Sequence, residues 1–467
     1  MLPALPALLL LPHAFQLPQL LPDAALLDVS AIAASPATAA AAVVAVSLIG
    51  VIGGAAPLEP YPADASSGAL SYDPEQAKNY FRSRPVEVVA RALAVFARFS
   101  GLGAALLLDY LAGPETLARN ADERATALTE VLTQLGPTFI KVGQSASIRT
   151  DLLPLPYIRG LTKLQDQVPP FDSALARAQI LKELEPAASV FSSLSAEPVA
   201  AASLGQVYKG TLAANGIEVA VKVQRPQIAR QIALDMYLLR ELAVPLAKLF
   251  RVPGDLRGTA DAWGKGFVAE LDYVSEARNA ERFNEDVKAS PLEGKVFAPA
   301  VVASASSGRV LTTVWVDGER LDQCSVPSDV PRLCSVAIAT FLEMLLSVPP
   351  GRTCGSLHAD PHPGNLLRTP SGSLCVLDWG LVQEVPNDIQ LTMIEHVAHL
   401  TAKDYAKVPN DLVELGFVPR GSESVVVENG VVDYLTRVYS AWGSGGGAAK
   451  LDVPKLFAEV CGTYSPS

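Results

Sequence analysis

Apolar residues recur at helical spacing in two parts of the chain. Four of them fall at positions i, i+3, i+4 and i+7 of one helical face: Leu128, Val131, Leu132 and Leu135. Gly136 and Pro137 follow this face, and because proline is favoured at the first position of a helix, they predict a break and a new helix. The same spacing predicts a further helix over residues 229–249.

Three pairs of short β-rich segments are each joined by turn-forming residues, which is the pattern of β-hairpins. The pairs are 206–212 with 217–223, 295–302 with 309–316, and 366–368 with 374–378. The first pair flanks Asn215-Gly216, which predicts a type I′ turn. From residue 390 onward the pattern is helical again. Helices therefore precede and follow an antiparallel sheet, which predicts an α+β fold with two lobes.

Composition excludes two broad classes. With 467 residues, 49% of them hydrophobic, and a mean hydropathy of +0.27, the chain has ample apolar material for a core and is not disordered throughout. Lys and Arg number 37 against 48 Asp and Glu, and no long basic run occurs. We therefore expect no nucleic-acid partner. The five cysteines contain no C-x-x-C pair, which favours free thiols in a reducing compartment.

The first 77 residues differ from the rest, because they contain six acidic residues and no Lys or Arg. Residues 37–56 are uncharged and about long enough to cross a bilayer as a helix. We interpret 1–77 as a targeting leader or hydrophobic tail. Near the other end, 443–447 is typical of a flexible loop.

The motif with the most specific chemistry is HADPHPGN (358–365), followed by LDWG (377–380). Asp360 and Asn365 have the spacing of the protein-kinase catalytic loop H-R-D-x-x-x-x-N, and Asp378 takes the place of the D-F-G aspartate. Phosphoryl transfer needs a carboxylate near the attacking oxygen, and an amide and a second carboxylate that hold Mg²⁺. We therefore predict Asp360 as a catalytic residue and Asn365 and Asp378 as metal ligands.

Upstream, VAVK (219–222) matches the V-A-I-K strand, whose lysine contacts the α- and β-phosphates. It follows AAASLGQV (200–207), where alanines replace the first two glycines of G-x-G-x-x-G-x-V. The predicted nucleotide-binding residues are Ala200, Ala201, Ala202, Ser203, Gly205, Val207 and Lys222. Because glycine permits close backbone approach, the two methyl groups should hold this alanine-rich loop further from the phosphates and change the nucleotide preference.

Taken in order, these motifs resemble the UbiB-type, aarF-domain-containing family of atypical kinases. The resemblance covers roughly 78–420 and is also carried by KVGQ (141–144), DLLP (151–154), VAVKVQRP (219–226), ELDYVSEARN (270–279) and VWVDG (314–318). It implies a two-lobed protein-kinase-like fold with a helical N-terminal extension, and binding of ATP or ADP with Mg²⁺. Residues 72–91 resemble the plastid and cyanobacterial members in particular.

The resemblance also implies roles for acidic residues. An insertion in the family separates the strand lysine from its glutamate, which makes Glu276, 54 residues beyond Lys222, the predicted catalytic partner. In the family the KxGQ helix is held over the site where a protein substrate would lie. The predicted regulatory residues, expected to face one another, are Lys141 and Gln144 with Glu270 and Asp272.

Four segments follow from these patterns. They are the leader (1–77), a helical extension with KxGQ (78–195), a kinase-like N-lobe (196–320) and a helical C-lobe (321–467). The C-lobe is expected to be truncated relative to the family. We expect a plastid location, with a mitochondrial one as the alternative.

The resemblance implies a kinase or ATPase in isoprenoid quinone or plastid lipid metabolism, with an isoprenoid or lipid-like small molecule and a membrane surface as partners. Phosphorylation of proteins is disfavoured by the KxGQ extension. The alternative is a nucleotide-gated protein that binds quinone precursors without phosphoryl transfer.

Two metal hypotheses remain. His358, Asp360 and His362 could form a metallohydrolase cluster, but that hypothesis leaves Lys222 and Asp378 without a role. His396 and His399 lie three residues apart on a predicted helix. Because no carboxylate or cysteine completes a set nearby in the sequence, we expect these two to be ordinary helix residues.

Overall fold

The computed structural model describes residues 72–147, 153–165, 168–184, 190–250, 256–360, 362–416 and 420–421. Most of the predicted leader, the apolar stretch 37–56, the loop 443–447 and Cys461 lie outside these residues. Asp151 and Leu152 of the DLLP motif also lie outside them.

The helices, in chain order, are α1 (Pro74–Arg82), α2 (Pro85–Ala112), α3 (Pro114–Leu135), α4 (Pro137–Ser147), α5 (Leu155–Thr162), α6 (Ser173–Glu183), α7 (Ile228–Phe250), α8 (Leu256–Ala269), α9 (Tyr273–Lys288), α10 (Val330–Leu346), α11 (Asn387–Ala402) and α12 (Val408–Glu414). The strands are β1 (Phe191–Leu194), β2 (Ala200–Ala201), β3 (Gly205–Leu212), β4 (Glu218–Gln224), β5 (Val296–Phe297), β6 (Val310–Val314), β7 (Glu319–Arg320), β8 (Gly355–His358), β9 (Leu366–Arg368), β10 (Leu374–Val376) and β11 (Val382–Val385).

The described residues form two compact units. The N-terminal unit comprises the described part of 72–274 together with 302–313, and the C-terminal unit comprises 275–301 and the described part of 314–421. The first contains a sheet in the order β1-β3-β4-β6, with β2 also paired to β3. The second contains a sheet in the order β5-β10-β9-β7 and the pair β11-β8. The predicted α+β class is confirmed, whereas the predicted boundaries at 195 and 320 stay predictions.

The break between α3 and α4 and the helix after β4 lie where the sequence predicted them. The apolar face of α3 is buried through Leu132 and Leu135, and Gly136 then adopts a φ of 97° that ends the helix. Pro137 opens α4, where its missing N–H costs no helical hydrogen bond. The predicted helix over 229–249 is α7. Arg91 of α2 ties these helices together, because its guanidinium donates to Asp235 at 2.6 Å and to the Leu135 carbonyl at 2.7 Å.

The first predicted hairpin is present, but its turn is not type I′. Strands β3 and β4 pair from Gly205 opposite Gln224 to Thr211 opposite Glu218, and the connection closes with Leu212 N donating to Ile217 O at 2.9 Å. A type I′ turn needs positive φ at both central residues. Gly216 has a φ of 71°, but Asn215 is not among the described non-glycine residues with positive φ. Its side chain instead accepts from Ile217 N at 3.1 Å, which stabilises a longer loop.

The second predicted pair is only partly correct. Residues 300 and 302 do bond to 314 and 312, through Val314 N to Ala300 O and Val302 N to Thr312 O, both at 2.8 Å. The start of the segment, β5, instead pairs in parallel with β10. Asn284 of α9 separates β5 from residues 300–302. Its side chain accepts from Ala298 N and donates to Ala298 O, so the backbone at Ala298 is not free to pair with a strand.

The third predicted hairpin is confirmed as β9 and β10, which pair antiparallel and carry the chain toward Asp378. They lie in the core of the C-terminal unit, whose members include Phe283, Leu333, Leu374, Val376 and Trp379. Burial raises the pKa of the Cys375 thiol to about 12, so this free cysteine stays protonated and unreactive.

Glycine 143 of the KxGQ segment is a packing residue, and this predicts opposite effects for two alanine substitutions. A Cβ on Gly143 would lie 2.5 Å from a methyl group of Leu164 and 2.9 Å from one of Leu132. Gly143→Ala should therefore lower the free energy of unfolding by about 1–3 kcal/mol. A Cβ on Gly101 of α2 would have no described atom within 4 Å. Gly101→Ala should therefore raise the free energy of unfolding by about 0.5–1 kcal/mol. Urea unfolding measures both, and equal stabilities would contradict the packing role.

Candidate functional site

Strand β4 fixes Lys222 between two core residues. Val221 and Val223 are fully buried, so alternation along the strand directs Lys222 away from that core. Val207 of β3 lies directly opposite Lys222 in the ladder. The Lys222 ammonium lies 5.1 Å from the centre of the Tyr273 ring, within the range of a cation–π interaction. The predicted pairing of Lys222 with Glu276 stays a prediction.

The alanine-rich loop is a tight hairpin rather than an open glycine loop. Ala200 and Ala201 pair with Val207 and Gln206, and Ala202 N donates to Gly205 O at 2.8 Å. Its remaining glycine position cannot accept a side chain, because a Cβ on Gly205 would lie 2.5 Å from the Val223 carbonyl oxygen. The methyl groups of Ala200 and Ala202 are exposed, so they border whatever approaches the loop.

Arg225 holds this loop, and it was not among the predicted site residues. Its Nε donates to the Ser203 carbonyl at 2.9 Å, and its guanidinium also donates to the Pro169 carbonyl at 2.6 Å. Its backbone N–H donates to the Leu204 carbonyl. Burial lowers the pKa of Arg225 without discharging it. The sequence signal was the arginine directly after the lysine strand, in VAVKVQRP.

The predicted regulatory residues are only partly brought together. Lys141 of α4 forms an ion pair with Glu270. The Gln144 amide donates to the Leu164 carbonyl at 2.8 Å, and its expected position facing the acidic pair stays a prediction. Asp272 caps α9, since its carboxylate accepts from Val274 N at 3.1 Å. The regulatory role of these residues stays a prediction.

In the C-terminal unit, His358 joins the catalytic turn to the DWG segment. Its Nε2 lies 2.6 Å from the Asp378 carbonyl oxygen, and its Nδ1 accepts from Asp360 N at 3.2 Å. These partners require the neutral tautomer that carries the proton on Nε2. Burial lowers the pKa of His358, which keeps the ring in that neutral form. The imidazole therefore fixes the backbone at both predicted acidic site residues.

The DWG segment is held by its tryptophan. Trp379 is 2% exposed, its ring centre lies 4.3 Å from that of Phe283, and its Nε1 donates to the Val376 carbonyl at 2.9 Å. Tryptophan thus fills an apolar slot in the core of the C-terminal unit. Asp378 accepts from Gly380 N at 2.9 Å, and a Cβ on Gly380 would lie 3.5 Å from a carboxylate oxygen of the buried Glu276. Two carboxylates therefore border Gly380.

Asn365 follows the catalytic turn in a short 3₁₀ segment, Pro363–Asn365, that leads into β9. Its backbone N–H donates to His362 O, and Leu377 N donates to Asn365 O, both at 2.9 Å, so the backbones on each side of the hairpin are tied together. The donor types fit Mg²⁺, because a hard cation prefers carboxylate and amide oxygens. Asp378 and Asn365 are the residues that would hold it.

The geometry does not favour zinc at this turn. Both nitrogens of His358 have backbone partners, and His362 Nδ1 accepts from Gly364 N at 3.0 Å. Within the described ranges, no group of three or more His, Cys, Asp or Glu side chains is arranged to hold a metal ion.

His396 and His399 have a partner that the sequence did not reveal. Asp411 of α12 lies 3.1 Å from His396 Nδ1 and 2.8 Å from His399 Nδ1. Asp411 lies 12 and 15 residues further along the chain and is brought to the two histidines by the packing of α12 on α11. The group ties the two helices together.

Comparison with known proteins gives consistent matches. A family described as "ABC1 atypical kinase-like domain" matches residues 163–412. Protein ACTIVITY OF BC1 COMPLEX KINASE 3, chloroplastic, of Arabidopsis thaliana is 39% identical over 75% of this chain and 48% of its own length. The uncharacterized protein slr1919 of Synechocystis is 37% identical over 74% of this chain and 60% of its own length. The chain thus spans about half the length of the curated relatives it matches.

A solved structure also matches, the complex of Rv3197 with erythromycin from Mycobacterium tuberculosis. The two chains are 29% identical, the match covers 66% of this chain and 76% of that one, and the TM-score is 0.42.

The neutral state of His358 predicts a pH dependence of stability. Because its folded pKa lies below the ordinary value of 6.5, the unfolded chain binds the proton more readily. Stability should therefore fall as the pH drops below about 6.5, by up to about 1.4 kcal/mol per pH unit. His358→Asn keeps a donor for the Asp378 carbonyl but does not titrate. The difference between wild type and His358→Asn, measured by urea unfolding from pH 7.5 to 5.5, should shrink, whereas parallel curves would contradict a buried neutral imidazole.

Proposed function

The chain belongs to the ABC1 atypical kinase-like family, and on that premise we propose that it binds ATP with Mg²⁺ and acts as an atypical kinase or ATPase. The observation that carries this proposal is the bridge made by His358. One buried, neutral ring fixes the backbone at Asp360 and at Asp378. Those are the two carboxylates that phosphoryl transfer requires in register.

The residue roles follow from chemistry. Asp360 would orient the attacking hydroxyl or water, and Asp378 and Asn365 would hold Mg²⁺, which neutralises charge on the phosphates when bound. Lys222 and the backbone of the alanine-rich loop would contact the phosphates. The exposed methyl groups of Ala200 and Ala202 leave less room for backbone approach than glycine does, which favours an altered ATP/ADP preference.

The substrate class we propose is an isoprenoid or lipid-like small molecule in quinone or plastid lipid metabolism. The relatives with chloroplastic names, and those from a cyanobacterium, support a plastid location. The Lys141–Glu270 ion pair supports a KxGQ helix held in place, which disfavours a protein substrate. The alternative is nucleotide-gated binding of the same lipids without phosphoryl transfer. This alternative predicts that ATP is bound but not turned over.

Helix α2 supports a membrane surface as a partner. Among the described helices, α2 alone has the length and the apolar composition that a membrane-spanning helix needs. Its large exposed side chains are Val86, Leu93, Phe96, Leu108, Tyr110 and Leu111. Arg98 is the exposed member of its four charged residues. A long apolar face of this kind, opposite a polar one, is typical of a helix that lies in the membrane interface.

The opposite face of α2 argues against a crossing. Arg91 is bonded to Asp235, and Asp109 is buried in an ion pair with Arg124 of α3 at 2.7 Å. The Arg124 guanidinium holds the pKa of Asp109 below its ordinary value, so this carboxylate is charged. Charged residues in hydrocarbon are costly. We therefore propose that α2 lies flat on the bilayer while its polar face stays on the protein.

The nucleotide proposal predicts unequal effects of two substitutions. Asp378→Asn removes a carboxylate from the Mg²⁺ set, and both MgATP affinity and phosphate release should largely vanish. His362→Ala changes a side chain that accepts from Gly364 N and shapes the turn, so it should cost far less. Titration with MgATP, a phosphate-release assay with and without prenylphenol-like lipid, and a zinc assay measure these outcomes.

Each alternative has its own signature in that experiment. MgATP binding without turnover under any condition would favour the nucleotide-gated protein. A zinc-loaded wild type that loses its metal with His362→Ala, and keeps its activity with Asp378→Asn, would overturn the kinase assignment.

The membrane proposal predicts that a charge on the exposed face of α2 weakens vesicle binding. Leu108 is 67% exposed, and Leu108→Glu should lower flotation with phosphatidylcholine vesicles by about tenfold. Leu391→Glu is the matched control, because Leu391 is 62% exposed but lies on α11. Equal losses for the two variants would show that α2 has no special part in binding.

A further inference from the structure

Tyr273, the first residue of α9, is buried beside Lys222. The ring centre lies 5.1 Å from the lysine Nζ, and the residue is 1% exposed. An ammonium over an aromatic face is attracted by the electrons of the ring, and more strongly where water is excluded. The ring therefore favours one position of the lysine amine.

The same tyrosine borders the alanine-rich loop. A Cβ built on Gly205 would lie 2.7 Å from the tyrosine hydroxyl oxygen, so the hydroxyl lies against the backbone where the loop enters β3. The loop and the strand lysine, which are the two phosphate-binding elements of the proposed function, thus contact opposite parts of one side chain.

The backbone on both sides of Tyr273 is fixed. Gln224, two residues after Lys222, is buried, and its Nε2 donates to the Leu271 carbonyl at 2.5 Å. Asp272 accepts from Val274 N and caps the helix that Tyr273 begins. Glu270, at the start of this turn, is paired with Lys141. The turn that carries the tyrosine is therefore tied to β4 and to α4 by its neighbours in the chain.

We propose that Tyr273 is a positioning residue that holds the Lys222 amine, through its ring, where the nucleotide phosphates bind. The role rests on the proposed function. It requires the aromatic ring and not the hydroxyl, since the ring faces the ammonium whereas the hydroxyl lies against the backbone at Gly205.

A double-mutant cycle on the full chain tests this role, with the dissociation constant for MgATP as the readout. Tyr273→Leu removes the ring and should weaken binding by about tenfold, whereas Tyr273→Phe keeps the ring and should stay within about threefold of wild type. In a Lys222→Met background there is no ammonium to position. Tyr273→Leu should then cost less than about twofold, because residues that act through one another are not additive.

Thermal unfolding of each variant is measured alongside, and Tyr273→Met replaces Tyr273→Leu if the latter does not fold. A tenfold loss that persists in the Lys222→Met background would overturn the inference, since the tyrosine would then act by packing alone. An equal loss in Tyr273→Phe would overturn it too, because the ring would not be the operative group. If Lys222→Met binds MgATP as well as wild type does, the proposed phosphate site itself fails, and the inference fails with it.

Discussion

The candidate chemistry depends on one buried imidazole. His358 accepts from the backbone of Asp360 and donates to the carbonyl of Asp378, so two segments 18 residues apart in sequence are held by a single rigid ring. A neutral ring suits this role, because burying a charged one without a counter-charge would be costly. The histidine bonds to the backbone groups of Asp360 and Asp378 and not to their carboxylates. The histidine can therefore hold the two aspartates in position without using the carboxylates that the proposed chemistry needs.

The parts of the fold that sequence predicted are those set by local patterns. The face of α3, the start of α4 at Pro137 and the β9–β10 hairpin follow from neighbours a few residues apart. The errors came from competition at longer range. Parallel pairing of β5 with β10 joins segments nearly eighty residues apart in the sequence. The hydrogen bonds of Asn284 to the Ala298 backbone, which end β5, come from a side chain of helix α9. The turn at Asn215 failed because a side-chain hydrogen bond stabilised a longer loop.

The same distinction between local patterns and long-range contacts applies to the candidate site. Asp360, Asn365, Asp378 and Lys222 could be predicted because their chemistry requires fixed spacings along the chain. The residues that support them were missed, since their contacts cross between elements. Arg225, for example, holds the alanine-rich loop through backbone carbonyls. Every residue has a backbone carbonyl, so a side chain that donates to carbonyls needs no particular residue type as its partner. Such a supporting role is therefore hard to recognise from a single sequence.

The tryptophan of the DWG segment has a consequence for conformational freedom. In the D-F-G pattern the aromatic side chain is phenylalanine, which carries no polar atom and can leave its slot at the cost of apolar contacts alone. Trp379 would also have to break the buried bond from its Nε1 to the Val376 carbonyl and separate from Phe283. The segment is therefore biased toward a single inward arrangement. Compounds that require the aromatic side chain to swing outward would face an added penalty here, so inhibitors suited to this protein are those that accept the inward state.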